Sequence, residues 1–322
     1  MKLKINLLTR LFTVTACIAG SLLIQTNLYA QDSTASVKGK IIPPKLKPVK
    51  NTFQSIWIID NQTVMVPVKG TFEMDIMHRF GTVDKGYDDF WGLFASSNIR
   101  IGVDYAPINN LYLGIGIDKY DKLWDISAKY AIIKQTKNKY PVSITYYGDM
   151  AVDTRSDGDH SIFVHNTDRL TSFNQIIIAR KINDKLSLQV APSITHQNSV
   201  NGFYTKNDST GTTIFNEMKH DHFAIAISGR YKLGETTAVL INYDQPITKH
   251  ATNNPSPNLS FGFEFSTSGH TFQLFMGNYA LLNPGKNNLF NTNSPFNYTQ
   301  ADGTNVKGGK FLIGFNITRL WN

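Results

Sequence analysis

The sequence predicts an all-β fold, an antiparallel transmembrane β-barrel of about twelve strands, and three observations carry that expectation. First, segments spread between residues 71 and 321 alternate apolar and polar side chains with the period of two that a strand requires. Second, the connections alternate in length: 107–110, 134–140, 183–184, 233–236 and 267–269 are short, whereas 81–97, 153–168, 197–221, 245–257 and 280–309 are long, with 119–122 the one short connection where a long one is expected. An even strand number with short turns at one end and long loops at the other is the pattern of outer-membrane barrels. Third, the polar face is charged, carrying Glu73, Asp75, Arg79, Arg100, Asp104, Asp125, Lys129, Arg230 and Glu264. A soluble barrel of this width would need an interior packed with apolar side chains, which only narrower barrels of about eight strands achieve. Turned the other way, lipid covers the apolar face and the charged residues line a lumen.

The chain starts with Lys2, Lys4 and Arg10, a mostly apolar run to Ile24, and Leu28-Tyr29-Ala30 before the polar Gln31-Asp32. Residues 1–30 therefore read as a secretory signal peptide. A lipoprotein signal would use Cys17, the one cysteine, but would place apolar Ile18 to Ile24 where a polar tether is expected. Cleavage after Ala30 leaves no cysteine, so disulfide and thiol chemistry drop out. No later run of apolar residues is long enough for a spanning helix.

Residues 31–69 form the second region. Pro43, Pro44 and Pro48 stand among Lys38, Lys40, Lys45, Lys47 and Lys50, the composition of an extended solvated linker. Residues 53–68 are more apolar, in two short halves around Asp60-Asn61-Gln62. Crossing a bilayer as a strand takes roughly 9 to 11 residues, so this stretch is expected to stay out of the wall and tuck into the periplasmic mouth. The barrel itself is expected over residues 70–322.

Within it, strands are expected at 71–80, 98–106, 111–118, 123–133, 141–152, 169–182, 186–196, 222–232, 237–244, 258–266, 270–279 and 310–321. The first alternates Phe72, Met74, Ile76, His78 and Phe80 with Glu73, Asp75, Met77 and Arg79. Similar apolar faces come from Ile99, Ile101, Val103 and Tyr105; from Leu259, Phe261, Phe263 and Phe265; and from Phe311, Ile313, Phe315 and Ile317. In the sixth strand Ile176-Ile177-Ile178 offers no contrast, and its faces stay unassigned. In the first long loop Asp88 or Asp89 is expected to cap a short helix, and Phe90, Trp91, Leu93 and Phe94 to lie at the outer bilayer interface or in the mouth.

Asn61-Gln62-Thr63-Val64, Lys69-Gly70, His78-Arg79-Phe80-Gly81 and Gly102-Val103-Asp104-Tyr105 resemble an uncharacterised family of Bacteroidota-type outer-membrane β-barrel proteins, a domain of unknown function. The similarity is strongest over residues 51–135 and extends more loosely to the last strand. It implies the barrel and the outer membrane, and brings no substrate or cofactor.

The charged lumen set is the leading candidate site, either as a salt-bridge network that braces the wall or as a constriction that selects solutes. The expected role is a narrow channel or transporter for small solutes, with a structural or accessory barrel as the alternative. Outer-membrane lipids and the barrel-assembly machinery are the expected partners. His220 and His222, two apart on one strand, are weak metal candidates that would need a third ligand. Ser161 beside His160 is the trace of a hydrolase, without a nucleophile-elbow motif. No Gly-rich phosphate loop, zinc spacing or basic patch interleaved with aromatics appears, so neither a cofactor nor nucleic acid is expected.

Overall fold

The computed structural model describes residues 46–158, 162–207, 209–251, 254–299 and 303–322. The expected signal peptide with Cys17, the linker up to residue 45 and the His160-Ser161 pair lie outside them. In chain order, β1 (Trp57–Ile58) and β2 (Asn61–Gln62) pair as a minimal hairpin. The wall follows with β3 (Phe72–Thr82), β4 (Asn98–Ile108), β5 (Leu111–Asp118), β6 (Leu123–Ile133), β7 (Ser143–Asp153), β8 (Leu170–Lys181) and β9 (Leu186–Gln197). A loop hairpin of β10 (Gly202–Lys206) and β11 (Thr213–Glu217) precedes β12 (Asp221–Lys232), β13 (Thr237–Pro246), β14 (Asn258–Ser266) and β15 (His270–Gly277). Helix α1 (Pro284–Phe290) and the short pair β16 (Tyr298–Thr299) and β17 (Asn305–Val306) lead to β18 (Leu312–Trp321).

Antiparallel pairing of β18 with β3 closes a barrel of twelve strands among the described residues. Every other wall pair joins consecutive wall strands, so the expected up-and-down order holds. No described helix is long and apolar enough to cross a membrane.

The wall's two faces follow the period of two. On β3, Glu73, Asp75, Met77 and Arg79 are buried inside while Phe72 is exposed outside. Phe261, Phe263 and Phe265 of β14 meet Met276, Leu274 and Phe272 of β15 on the outer face, an exposed apolar belt suited to lipid. Ile126, 59 % exposed, sits in this belt opposite Ile115. Changing Ile126→Arg should destabilise the barrel by about 2 to 4 kcal/mol if the site lies near the midplane, read by guanidinium unfolding in lipid vesicles. Retained stability there would take lipid away from this face. The unassigned β8 also becomes clear: Ile177 is fully buried inward and Ile176 is exposed outward.

Residues 53–66 stay out of the wall but go deeper than the mouth expected from sequence. Ile59 N donates to Gln273 Oε1 (3.0 Å), and Ile59 O accepts from Asn316 Nδ2 (2.5 Å) in the middle of β18. Trp57 O accepts from Gln273 Nε2 (2.9 Å), Gln62 O from Gln189 Nε2 (2.7 Å) and Val64 O from Thr145 Oγ1 (3.1 Å). Backbone groups taken out of water need partners, and inward side chains of the wall supply them; that is why the segment can descend. Its apolar residues Phe53, Ile58, Ile59 and Val64 share a buried cluster with Phe173, Ile177 and Leu240 of the wall. Ile59 holds φ at 60°, unusual for a β-branched residue, and its two flanking bonds to Gln273 and Asn316 hold it there.

From the loop end, α1 fills the opposite half. Asn283 caps it by accepting from Lys286 N (3.2 Å), with proline at the first turn. The Asn283 amide also donates to Asp149 Oδ1 (2.9 Å) on β7. Lys286 Nζ donates to Gln197 Oε1 (3.1 Å), and burial holds this ammonium below its usual range, with Asp121 and Asp153 pulling the other way. Leu282, just before the helix, joins Ile56, Trp57 and Val66 of the hairpin in one buried cluster. The two inserts therefore meet inside the barrel. In the first long loop a 3-10 helix (Val83–Asp89) ends at the expected cap instead of beginning there, with Asp89 Oδ1 accepting from Gly92 N (2.8 Å) in the turn that follows. Phe90, Trp91, Leu93 and Phe94 are exposed, Phe94 by 81 %, so the cluster is not folded into the mouth as a plug.

Candidate functional site

The lumen charges are organised by register. Asp75 pairs with Gly102, Gly102 with Gly116, and Gly116 with Asp125, so four strands place one row on the inner face with two glycines at its centre. Arg100, on the same face of β4, lies across that gap; any Cβ at Gly116 would collide with its guanidinium. Its Nη1 donates to Asp75 Oδ1 (2.8 Å), and its Nη2 and Nε donate to Asp125 Oδ1 (2.6 Å) and Oδ2 (2.9 Å). The paired, two-bond contact with Asp125 is the geometry a guanidinium favours. One row down, Glu73 pairs with Asp104 and Asp104 with Gly114, and the Asp104 carboxylate lies over Gly114. Three buried carboxyls, Asp75, Asp104 and Asp125, thus gather around one guanidinium, while buried Glu73 lies within reach of the Lys129 charge.

The other expected members make their hydrogen bonds elsewhere, though the Lys129 charge still acts on Glu73 and Asp104. Lys129 Nζ reaches the hairpin instead, donating to Gln62 Oε1 (2.6 Å) and more weakly to Ile56 O and Thr63 O (both 3.4 Å). Arg79 donates to Asn316 Oδ1 (2.9 Å) and His78 O (3.1 Å) and packs over the Phe275 ring. Arg230 Nε donates to Glu264 Oε1 (2.7 Å), whose Oε2 accepts from Gln273 Nε2 (3.2 Å), the amide that also holds the hairpin. So the nine residues form separate hydrogen-bonded groups, and those of Arg100, Lys129, Arg79 and Arg230 each touch the hairpin or an amide that holds it.

Reading charges alone missed the hairpin tip and its socket. Asp60 Oδ1 accepts from Tyr279 OH (2.6 Å) and Asn242 Nδ2 (3.1 Å). Asn61 Nδ2 donates to Asp244 Oδ1 (2.8 Å), and Asn61 Oδ1 accepts from Gln175 Nε2 (3.1 Å). A signal existed: Gln175, Gln189, Asn242, Gln273 and Asn316 all fall on inward positions of the two-residue period.

The histidine candidates do not converge as a metal site. His220 Nδ1 donates to Gln197 O (2.7 Å), while His222 turns inward with Nδ1 at 3.1 Å from His250 Nε2. Lys219 N donates to His250 Nδ1 (3.0 Å), so neutral His250 carries its proton on Nε2 and gives it to His222. Burial and nearby Lys219 hold His250 below its ordinary pKa and favour that neutral form. Among the described residues no three metal-ligating side chains come together.

A family described as "Membrane bound beta barrel domain (DUF5777)" matches residues 53–321, hairpin and wall together. Among curated proteins none matches the sequence. The chain is similar to the solved structure of an outer membrane channel from Pseudomonas putida F1, with 12 % identity, 80 % of this chain and 97 % of that one covered, and a TM-score of 0.46. It is also similar to the NanC porin (8 % identity, 77 % and 98 % covered, TM-score 0.40) and to the Ralstonia pickettii toluene transporter TbuX (8 %, 80 % and 90 %, 0.37).

Proposed function

The chain belongs to the family of membrane-bound beta barrel domains, DUF5777, and from that premise we propose that it is an outer-membrane channel for small solutes held closed by its own hairpin. The observation that carries this reading is the hairpin's polar seat. Its main chain is bonded to side-chain amides and hydroxyls of the wall, and Gln175, Gln189, Gln273, Asn242 and Asn316 would be satisfied equally well by water once it left. Twelve strands also lie between the eight that side chains fill and the 16 to 18 that leave an aqueous channel, so a passage of this width is narrow and a short insert can block it.

Planar-bilayer recording tests the proposal. The full chain should show near-zero basal conductance, and a variant lacking both inserts, residues 53–66 and 281–290, should show steady conductance while its wall still migrates as a folded, heat-modifiable barrel. A folded but silent deletion variant would make this a structural or accessory barrel. On this reading lipids cover the belt, the assembly machinery inserts the barrel, and neither cofactor nor nucleic acid takes part. No catalysis is assigned to it, and hydrolysis of a lipid or ester by the purified protein would overturn that.

A further inference from the structure

At the loop end, between α1, the β16–β17 pair and the ends of β3 and β18, lies a cavity of about 520 Å³, within the roughly 300 to 1,000 Å³ of small-molecule sites. Its lining combines two kinds of group. Tyr120, Tyr298 and Phe290 supply aromatic rings, and Lys307 and Lys310 supply cations, with no Asp or Glu among the lining residues. Asn287, also in the lining, is fully buried and donates its Nδ2 to Leu281 O (2.6 Å), which ties α1 to the chain just before it.

We propose that this cavity is the recognition site for a small polyhydroxylated anion, of the size and chemistry of an acidic sugar. Aromatic rings suit the apolar face of a pyranose, and the lysines suit a carboxylate. A loop frame holds the site open: Asn293 Nδ2 donates to Asn278 O (2.8 Å) and Lys310 O (2.6 Å), and Asn291 Nδ2 donates to Asn258 Oδ1 (2.8 Å). Those amides are spent on structure, which leaves recognition to the others. Tyr279, also in the lining, donates its hydroxyl to Asp60 at the hairpin tip, so a bound solute sits one side chain above the plug. The proposal rests on the channel reading for its purpose, though not for its chemistry.

Calorimetric titration of the detergent-solubilised full chain with sodium D-glucuronate, D-glucose and sodium acetate tests it. Glucuronate should bind at least about tenfold more tightly than either comparator. Lys307→Gln with Lys310→Gln should reduce its affinity to near that of glucose; Lys310 reaches only Asp84, at 3.8 Å, and both side chains are well exposed, so folding should survive. Tyr120→Ala, at a half-exposed ring, should weaken glucuronate and glucose alike. No binding of glucuronate at millimolar concentration, no preference over glucose and acetate, or indifference to the lysine pair would overturn the site. Binding is read here without transport: a barrel that conducts on plug deletion but ignores glucuronate loses only the site, and one that binds it but stays silent loses only the channel.

Discussion

Arg100→Ala should destabilise the folded barrel by about 3 to 5 kcal/mol, the usual cost of stripping one partner from a buried ion pair. Arg100 is 4 % exposed and bonded to both Asp75 and Asp125, so its loss leaves Asp75, Asp104 and Asp125 inside the wall without the cation they surround. Guanidinium unfolding in detergent, followed by circular dichroism, reads the effect. Arg100→Lys should recover only part of it, because an ammonium cannot fork onto Asp125 while also reaching Asp75. Asp125→Asn in the Arg100→Ala background should restore stability instead of lowering it further, since the two sites share one interaction. An Arg100→Ala barrel within about 0.5 kcal/mol of wild type, the range of an ordinary surface change, would mean that water reaches this row and that the charges are screened.

Trp57→Ala should release the hairpin while leaving the wall standing. Trp57 is 3 % exposed, shares its apolar cluster with Leu282 and Met77, and lies beneath the Arg100 guanidinium at 5.6 Å. Truncating a buried tryptophan costs about 3 to 5 kcal/mol. Because β1 and β2 pair only with each other and no wall ladder runs through them, most of that loss should fall on the seating of the hairpin. A loss of about 3 kcal/mol there raises the unseated population by roughly two orders of magnitude. Channel openings should become frequent, and amides of residues 56–64 should exchange faster while those of the wall strands keep their protection. Global loss of stability without openings would make the hairpin part of the barrel's core and would end the gating proposal.

The wall was legible because its signal is local. A strand between lipid and a polar lumen carries the contrast in its own side chains, so β3, β4, β14 and β18 could be read from period alone, and connection lengths gave their up-and-down order. Where contrast fails, reading fails: Ile176-Ile177-Ile178 became assignable only because Ile177 packs inward with Phe53 and Ile58 of the hairpin. The inward charges were legible as a set, but their partners were not. That Arg100 meets Asp125, two strands away, depends on a register that brings Gly102 and Gly116 into line and leaves room for its side chain. Likewise the spacing of His220 and His222 could not say that one would face Gln197 and the other His250, because both partners arrive from distant chain. Residues 53–66 announced by their length that they were too short to span, and nothing in their own pattern set their depth. That depth is decided by amides and hydroxyls converging from β7, β8, β9, β13, β15 and β18. Periodicity records how one strand meets its two solvents, whereas the seat of a plug exists only after the barrel has closed and brought those side chains to a common axis.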